Sequence, residues 1–211
     1  GKIIEKMYEI LITEKPDLVI VYGDVNSTVG ATVIAKRLNI DVVHVEAGLR
    51  SFDMSMPEEI NRLIVDKLSD LLLIHSESAK ENLINEGVSQ NKIKFVGNIM
   101  IDSLVMMKNK IRKSILDKYN LKEKEYCLLT THRPSNVDHL KTRDLNIDFI
   151  NKVSKKIKVI CPVHHRMKKM VAKLENENFI GIDPLNYIDF LSLENYACLL
   201  YTSDAADDRY R

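Results

Sequence analysis

A chain of 211 residues, 45% hydrophobic and 29% charged, has ample apolar material for a core, which excludes a disordered or collagen-like protein. Thirty-one Lys plus Arg against 30 Asp plus Glu leave a formal charge of +1, so the global positive field of a dedicated nucleic-acid binder is missing. No apolar run approaches the ~18–20 residues that cross a bilayer, and no basic-then-apolar leader opens the chain, so neither membrane insertion nor secretion is expected. Cys127, Cys161 and Cys198 are widely spaced and odd in number, and read as buried thiols of a reducing compartment, not as a disulfide frame or zinc site.

Short apolar runs alternate with amphipathic stretches. Ile3, Ile4, Met7, Ile10 and Leu11 follow helical spacing until Lys15-Pro16 stops the helix. The run 17–22 then predicts a strand buried on both faces. A helix over 27–38, a strand over 41–45, a helix over 58–68, a strand over 71–74, a helix over 79–86 and a strand over 92–96 follow. One long helix is predicted from Ile99 to about Leu116, then a charged stretch to Glu125 that suits a domain boundary. Alternation resumes with a strand at 126–130, a helix at 144–156, a strand at 157–163, a helix at 167–174, a strand at 179–182, a helix at 187–195 and a strand at 197–201. Such alternation requires crossover connections, hence parallel sheets with helices on both faces. The fold class is α/β, with two Rossmann-like domains in tandem, both incomplete in this chain.

Ligands of open parallel sheets sit outside the carboxyl ends of the strands. After the first strand come Gly23-Asp24-Val25-Asn26-Ser27-Thr28: the glycine permits a tight turn, Asp24 reaches the sheet edge, and Ser27 or Thr28 can cap the next helix. Asp24 is equally suited to a turn or cap. After the second strand stands Glu46, which either has a chemical task or pairs with Arg50. Ser55-Met56-Pro57-Glu58 has the form of a capping box, the local alternative to a functional Glu58. In the second half, His132 and Arg133 follow a strand, suited to proton transfer and to clamping an anion. His164-His165-Arg166 repeats the theme, but no third ligand at sensible spacing makes it a metal site. Neither G-x-G-x-x-G nor G-x-x-x-x-G-K-[ST] is present, so neither a nicotinamide enzyme nor a P-loop NTPase is supported.

The string Gly23-Asp24, His44-Val45-Glu46-Ala47-Gly48-Leu49-Arg50, Met56-Pro57-Glu58-Glu59-Ile60-Asn61-Arg62, Val96-Gly97-Asn98 and Thr131-His132-Arg133-Pro134-Ser135-Asn136-Val137-Asp138 resembles the non-hydrolysing UDP-N-acetylglucosamine 2-epimerases over about residues 1–201. The resemblance implies a glycosyltransferase-B fold with the nucleotide sugar between two Rossmann-like domains. Residues 1–105 would be the later part of the first, 106–124 an interdomain helix and linker, and 125–202 the first part of the nucleotide-binding domain. It implies epimerisation at C2 by elimination and re-addition of UDP, without cofactor or metal, for surface polysaccharide. Such a path needs bases on both faces of the sugar and support for the leaving diphosphate.

By position Asp24, Glu46, Glu58 and His132 match the family's catalytic residues, with no assignment of carboxylate to face. Phe190, in Asp183-Pro184-Leu185-Asn186-Tyr187-Ile188-Asp189-Phe190, matches the contact to uracil and is equally suited to packing. Arg133 and His164 fall where bacterial members bind a second, activating UDP-N-acetylglucosamine, and Arg133 is also a substrate-binding candidate. A cytoplasmic homodimer is implied. Rivals are an epimerase of a related UDP-diacetamido sugar acid, a hydrolysing epimerase, a glycosyltransferase of the same fold and a non-catalytic nucleotide-sugar sensor. Two departures stand out: an N-terminal loop bearing Arg or Lys is absent, and residues 203–211 replace the family's Asp-Ser-Gly-Gly run, resembling translated adapter sequence and not native protein. The chain alone is therefore expected to be inactive.

Overall fold

The computed structural model describes residues 1–131, 140–174 and 176–202, with Arg166 described by its backbone alone; the tail 203–211 lies outside them. The chain divides into two compact units, Gly1–Asp102 and the described residues from Ser103 onward.

In the first unit, strands β1 (Leu18–Tyr22), β2 (Asp41–Val45), β3 (Leu71–Ile74) and β4 (Ile93–Phe95) pair in parallel, in the order of the chain. Helix α1 (Lys2–Glu14) precedes β1 and ends at Lys15, whose φ of 47° breaks the helix just before Pro16. The crossovers carry α2 (Asn26–Arg37), α3 (Pro57–Leu68) and α4 (Glu77–Asn85). Each right-handed crossover advances in the same direction, which places these helices on one face of the sheet. That face holds the core: Leu11, Val21, Ala35, Val42 and Val65 form one cluster, and Leu72, Ile74, Ala79 and Leu83 the next. Full burial of a Leu or Ile contributes ~1.5–3 kcal/mol, so these clusters hold the unit together. The opposite face is open at β1, where Leu18, Ile20 and Tyr22 are 45%, 53% and 59% exposed. Among the described residues, the strand predicted to be buried on both faces is thus covered on one.

The second unit winds differently. Strands β5 (Tyr126–Thr130), β6 (Lys158–Pro162), β7 (Phe179–Ile182) and β8 (Leu199–Thr202) are parallel, in spatial order β7-β6-β5-β8. The chain winds outward from β5 to β7 and returns to the other side of β5, so the switch point lies between β5 and β8, with Thr130 opposite Thr202. Reversal covers both faces. Odd-numbered Cys127, Leu129, Val159 and Cys161 face α7 (Leu140–Ser154) and α8 (Lys168–Val171) through Ile147, Ile150 and Met170. Even-numbered Tyr126, Leu128 and Ile160 face Leu193 of α9 (Tyr187–Tyr196). The Tyr126 hydroxyl donates to the Leu193 carbonyl.

The long helix predicted over 99–116 is broken. It forms α5 (Ile99–Met107), a 3-10 turn at Lys108–Lys110, an extended Ile111 and α6 (Ser114–Lys118). A continuous helix would tie the Arg112 amide to its own backbone; instead it donates to the Ser192 hydroxyl at 3.0 Å. The break turns Ile115 and Leu116 into the core beside Leu193, and Leu121, from the charged stretch, joins them. Burial raises the Cys127 and Cys161 thiols to about 11 and about 12. Cys198, expected to be buried as well, is exposed. No helix among the described residues is long and apolar enough to cross a membrane.

Candidate active site

Parallel β1 and β2 end side by side, Tyr22 opposite Val45, so the segments bearing Asp24 and Glu46 leave adjacent strand ends. Gly23 turns at φ 61° and its amide donates to the Val45 carbonyl. The expected cap from Ser27 or Thr28 is absent: Val25 occupies the N-cap without a side-chain bond, and the Thr28 hydroxyl donates back to the Tyr22 carbonyl at 2.8 Å. Asp24 does not serve as a cap either. Its carboxylate pairs with Arg62 of α3 at 2.6 Å, while the Asn61 side-chain amide donates to its backbone carbonyl at 2.7 Å.

Glu46 follows β2 with φ 73°, a left-handed conformation uncommon for a residue with a side chain. The amides of Glu46 and Ala47 both donate to the Leu73 carbonyl, fixing the bend. Its Oε2 lies 3.9 Å from where a Cβ at residue 23 would stand, so the carboxylate sits against the Gly23 turn. Among the described residues it has no ion-pair or hydrogen-bond partner. The pair with Arg50 is not formed, because Arg50 is engaged elsewhere: Nη1 with Asp66 at 2.8 Å, and Nε and Nη2 with Glu86 at 2.7 and 2.6 Å. Burial pushes the Arg50 guanidinium down, but the bonds and charges of Glu86 and Asp66 together raise it.

Glu58 stands exposed in the first turn of α3. The capping box does not form: Met56 is the N-cap, with no side-chain bond and Pro57 next. The Ser55 hydroxyl donates to Asp53 instead, at 2.6 Å, and with the Ser55 amide it holds the Asp53 carboxyl below the usual carboxylate range. Positions 58, 61 and 62 share a helix face, and Asn61 and Arg62 both hold Asp24. The three expected carboxylates therefore belong to one locality, with a guanidinium among them.

That guanidinium rests on a residue the sequence did not single out. Glu59, 2% exposed, accepts from the Ser51 amide and hydroxyl at 2.9 and 3.0 Å, from the Phe52 amide at 3.1 Å and from Arg62 at 3.2 Å. Burial pushes its carboxyl up, and these four donors outweigh it to leave it below the ordinary glutamate value. Behind it lies a second buried group. His44 places Nδ1 2.6 Å from Asp66 Oδ1 and Nε2 2.9 Å from the Gly23 carbonyl, and Asp66 Oδ2 accepts from the Gly48 amide at 3.0 Å. Glu59, Arg62 and Asp66 recur at helical spacing, a polar stripe along the inward face of α3, and that pattern was the available signal.

A cavity of about 270 Å³ opens at this edge, lined by Tyr22, Val45 and Leu73 and by Glu46, His75 and Asp102. His75 follows β3 as Glu46 follows β2, so the same search after each strand could have found it.

In the second half of the chain, His132 and Arg133 lie outside the described residues. Phe190 and His164 line one cavity of about 330 Å³ together with Pro162, Pro184, Leu185 and Tyr187. Phe190 also packs on the core beside Leu185, so both readings of its ring apply. The His164 and His165 rings lie 3.9 Å apart. No group of three His, Cys, Asp or Glu among the described residues could hold a metal.

Two parallel sheets in tandem, with chemistry-bearing side chains at their carboxyl edges, make this an α/β chain of the glycosyltransferase-B type. It belongs to the UDP-N-acetylglucosamine 2-epimerase family, whose profile matches residues 1–204. A UDP-N-acetylglucosamine 2-epimerase homologue of Methanococcus maripaludis is 43% identical over 96% of this chain and 58% of its own length. A UDP-2,3-diacetamido-2,3-dideoxy-D-glucuronate 2-epimerase of Pseudomonas aeruginosa is 33% identical over 96% of this chain and 57% of its own length. The crystal structure of the Methanocaldococcus jannaschii UDP-GlcNAc 2-epimerase, in complex with UDP-GlcNAc and UDP, superposes with a TM-score of 0.85 at 36% identity, over all of this chain and 61% of that one. The chain thus spans about three fifths of the relatives it matches.

Proposed function

We propose that the whole protein epimerises UDP-N-acetylglucosamine at C2 to UDP-N-acetylmannosamine, in the cytoplasm, as a homodimer and without a cofactor, to supply a surface polysaccharide precursor. The observation that carries this reading is Glu46: a carboxylate at the sheet edge, in a left-handed turn, facing a cavity and unpaired among the described residues. A structural carboxylate at such a place is ordinarily paired, as Asp66 and Glu59 are here. One carboxylate takes the C2 proton as the C1–O bond breaks and its electron pair leaves with UDP. A proton then reaches the opposite face of C2 and the UDP oxygen re-adds at C1. Asp24, Glu46 and Glu58 are the acids and bases of this scheme, and His132 supports the departing UDP. Phe190 contacts uracil, and Arg133 and His164 serve a second, activating UDP-N-acetylglucosamine.

Incubation of the full-length protein with UDP-N-acetylglucosamine in D₂O tests the reading. Deuterium is expected at C2, followed by NMR, and Glu46→Gln is expected to lower its rate by at least about 100-fold. Unchanged exchange in Glu46→Gln would remove that residue from the mechanism. The relative from Pseudomonas aeruginosa favours one alternative substrate, a UDP-diacetamido sugar acid; exchange with that compound and none with UDP-N-acetylglucosamine would select it.

A further inference from the structure

His44 is wholly buried and so is its neighbour Asp66. Its two ring nitrogens meet a carboxylate oxygen at 2.6 Å and a backbone carbonyl at 2.9 Å. A backbone carbonyl only accepts, and so does Asp66 as the carboxylate that takes the Gly48 amide and the Arg50 guanidinium, whereas a neutral imidazole has one N–H to give. We propose that His44 is held as an imidazolium that donates from both nitrogens, and that with Asp66 it is a positioning residue for the turns bearing Asp24 and Glu46. Charge balance supports the assignment. Imidazolium and Arg50 guanidinium face the carboxylates of Asp66 and Glu86, two cations against two anions. The link is mechanical as well as electrostatic. His44 grips the carbonyl of Gly23, the residue before Asp24, while Asp66 grips the amide of Gly48, two residues after Glu46. The Gly48 carbonyl accepts from Asn82 of α4 at 3.0 Å, so the turn is held from both sides. Glu46 keeps its left-handed backbone because both neighbours of its turn are fixed.

NMR of the 211-residue chain with ¹⁵N-labelled histidine, near neutral pH, tests the protonation without any assay of activity. Two ring N–H signals from His44 are expected, both protected from exchange; one unprotonated ring nitrogen would overturn the proposal. In Asp66→Asn, the amide signals of Gly23, Asp24 and the 46–48 turn are expected to shift while those of the second unit do not. If that variant fails to fold, the ring signals of the unsubstituted chain decide alone. Only the last arm rests on the proposed epimerase. In the full-length protein, Asp66→Asn is expected to lower kcat about tenfold or more with KM changed less than about twofold. A lower melting temperature with kcat unchanged below the transition would reduce the pair to a purely structural role. Absence of C2 exchange in the unsubstituted protein would defeat the epimerase reading and leave the ring result to stand or fall by itself.

Discussion

Four donors converge on Glu59, and their consequence is a dependence on acid. Its folded-state carboxyl titrates below the ordinary glutamate value of 4.5, so the stability it contributes is complete above that value and is lost as pH falls through it toward the lowered one. Glu59→Gln presents a donor NH₂ where the native residue only accepts, leaving amides of the 51–52 turn or Arg62 unmatched, at about 1–3 kcal/mol. Thermal melts at a series of pH values are expected to show a lower Tm for the variant at neutral pH and a shallower loss in acid. Parallel curves for the two proteins would exclude Glu59 from this role. Local pattern supported the wrong partner three times here: Arg50 for Glu46, Ser55 for Glu58, and Ser27 or Thr28 as a cap. Each alternative was a short-range pairing: Arg50 instead meets Asp66 and Glu86, 16 and 36 residues away, Thr28 turns back to the strand end, and Ser55 is taken by its near neighbour Asp53. The spacing of Glu59, Arg62 and Asp66 marks an inward polar stripe, but pairings between distant segments leave no trace of the partner, so neither Arg62 with Asp24 nor Arg50 with Asp66 and Glu86 was foreseen.

Among the elements, those set by a continuous apolar run were legible to the residue: β2, β3, β5 and β7 begin and end where the sequence predicts. Helices were less so. The run 99–116 keeps its apolar spacing across a break that only the contact of Arg112 with Ser192 explains. The seat of α4 shows how tightly an element can be tied to the site. A Cβ at Gly48 would stand 2.5 Å from the Ala79 carbonyl oxygen, and Gly48 also turns at φ 79°. Gly87 has the same φ and open space around it, which makes it a control. Gly87→Ala is expected to cost about 1 kcal/mol from backbone strain alone, and Gly48→Ala at least about 3 kcal/mol, because α4 must also move. Chemical denaturation measures both, and equal losses would mean that the close approach to α4 contributes nothing.

At the scale of the molecule, the winding of each sheet decides which surfaces are covered. The first sheet exposes Leu18, Ile20 and Tyr22 on β1, which is also its edge strand, and such a surface invites pairing with another chain. The 211-residue chain is expected to associate as its concentration rises in sedimentation velocity, and Ile20→Lys to suppress the association with little change in Tm. Monomeric behaviour of the unsubstituted chain throughout would show that this face is innocuous. The sequence suggested tandem Rossmann-like units correctly, because alternation of strand and helix is local. It did not give the order of the described strands, β1-β2-β3-β4 in one sheet and β7-β6-β5-β8 in the other, since strand order is not written in periodicity.

That difference in strand order has a temporal side. In the first unit each strand pairs with the one made just before it, as Leu18 does with Asp41, so the sheet can grow while the chain is still being synthesised. In the second, β8 returns to β5, pairing Leu199 with Cys127, so β5 must wait for the last described strand before both its edges are filled. Closing so long a loop adds little free energy, since its entropy grows only as the logarithm of length, but it delays the rewarding contact. The described strands of the first sheet can therefore pair in the order in which they are made, while in the second the pairing of β5 with β8 comes last.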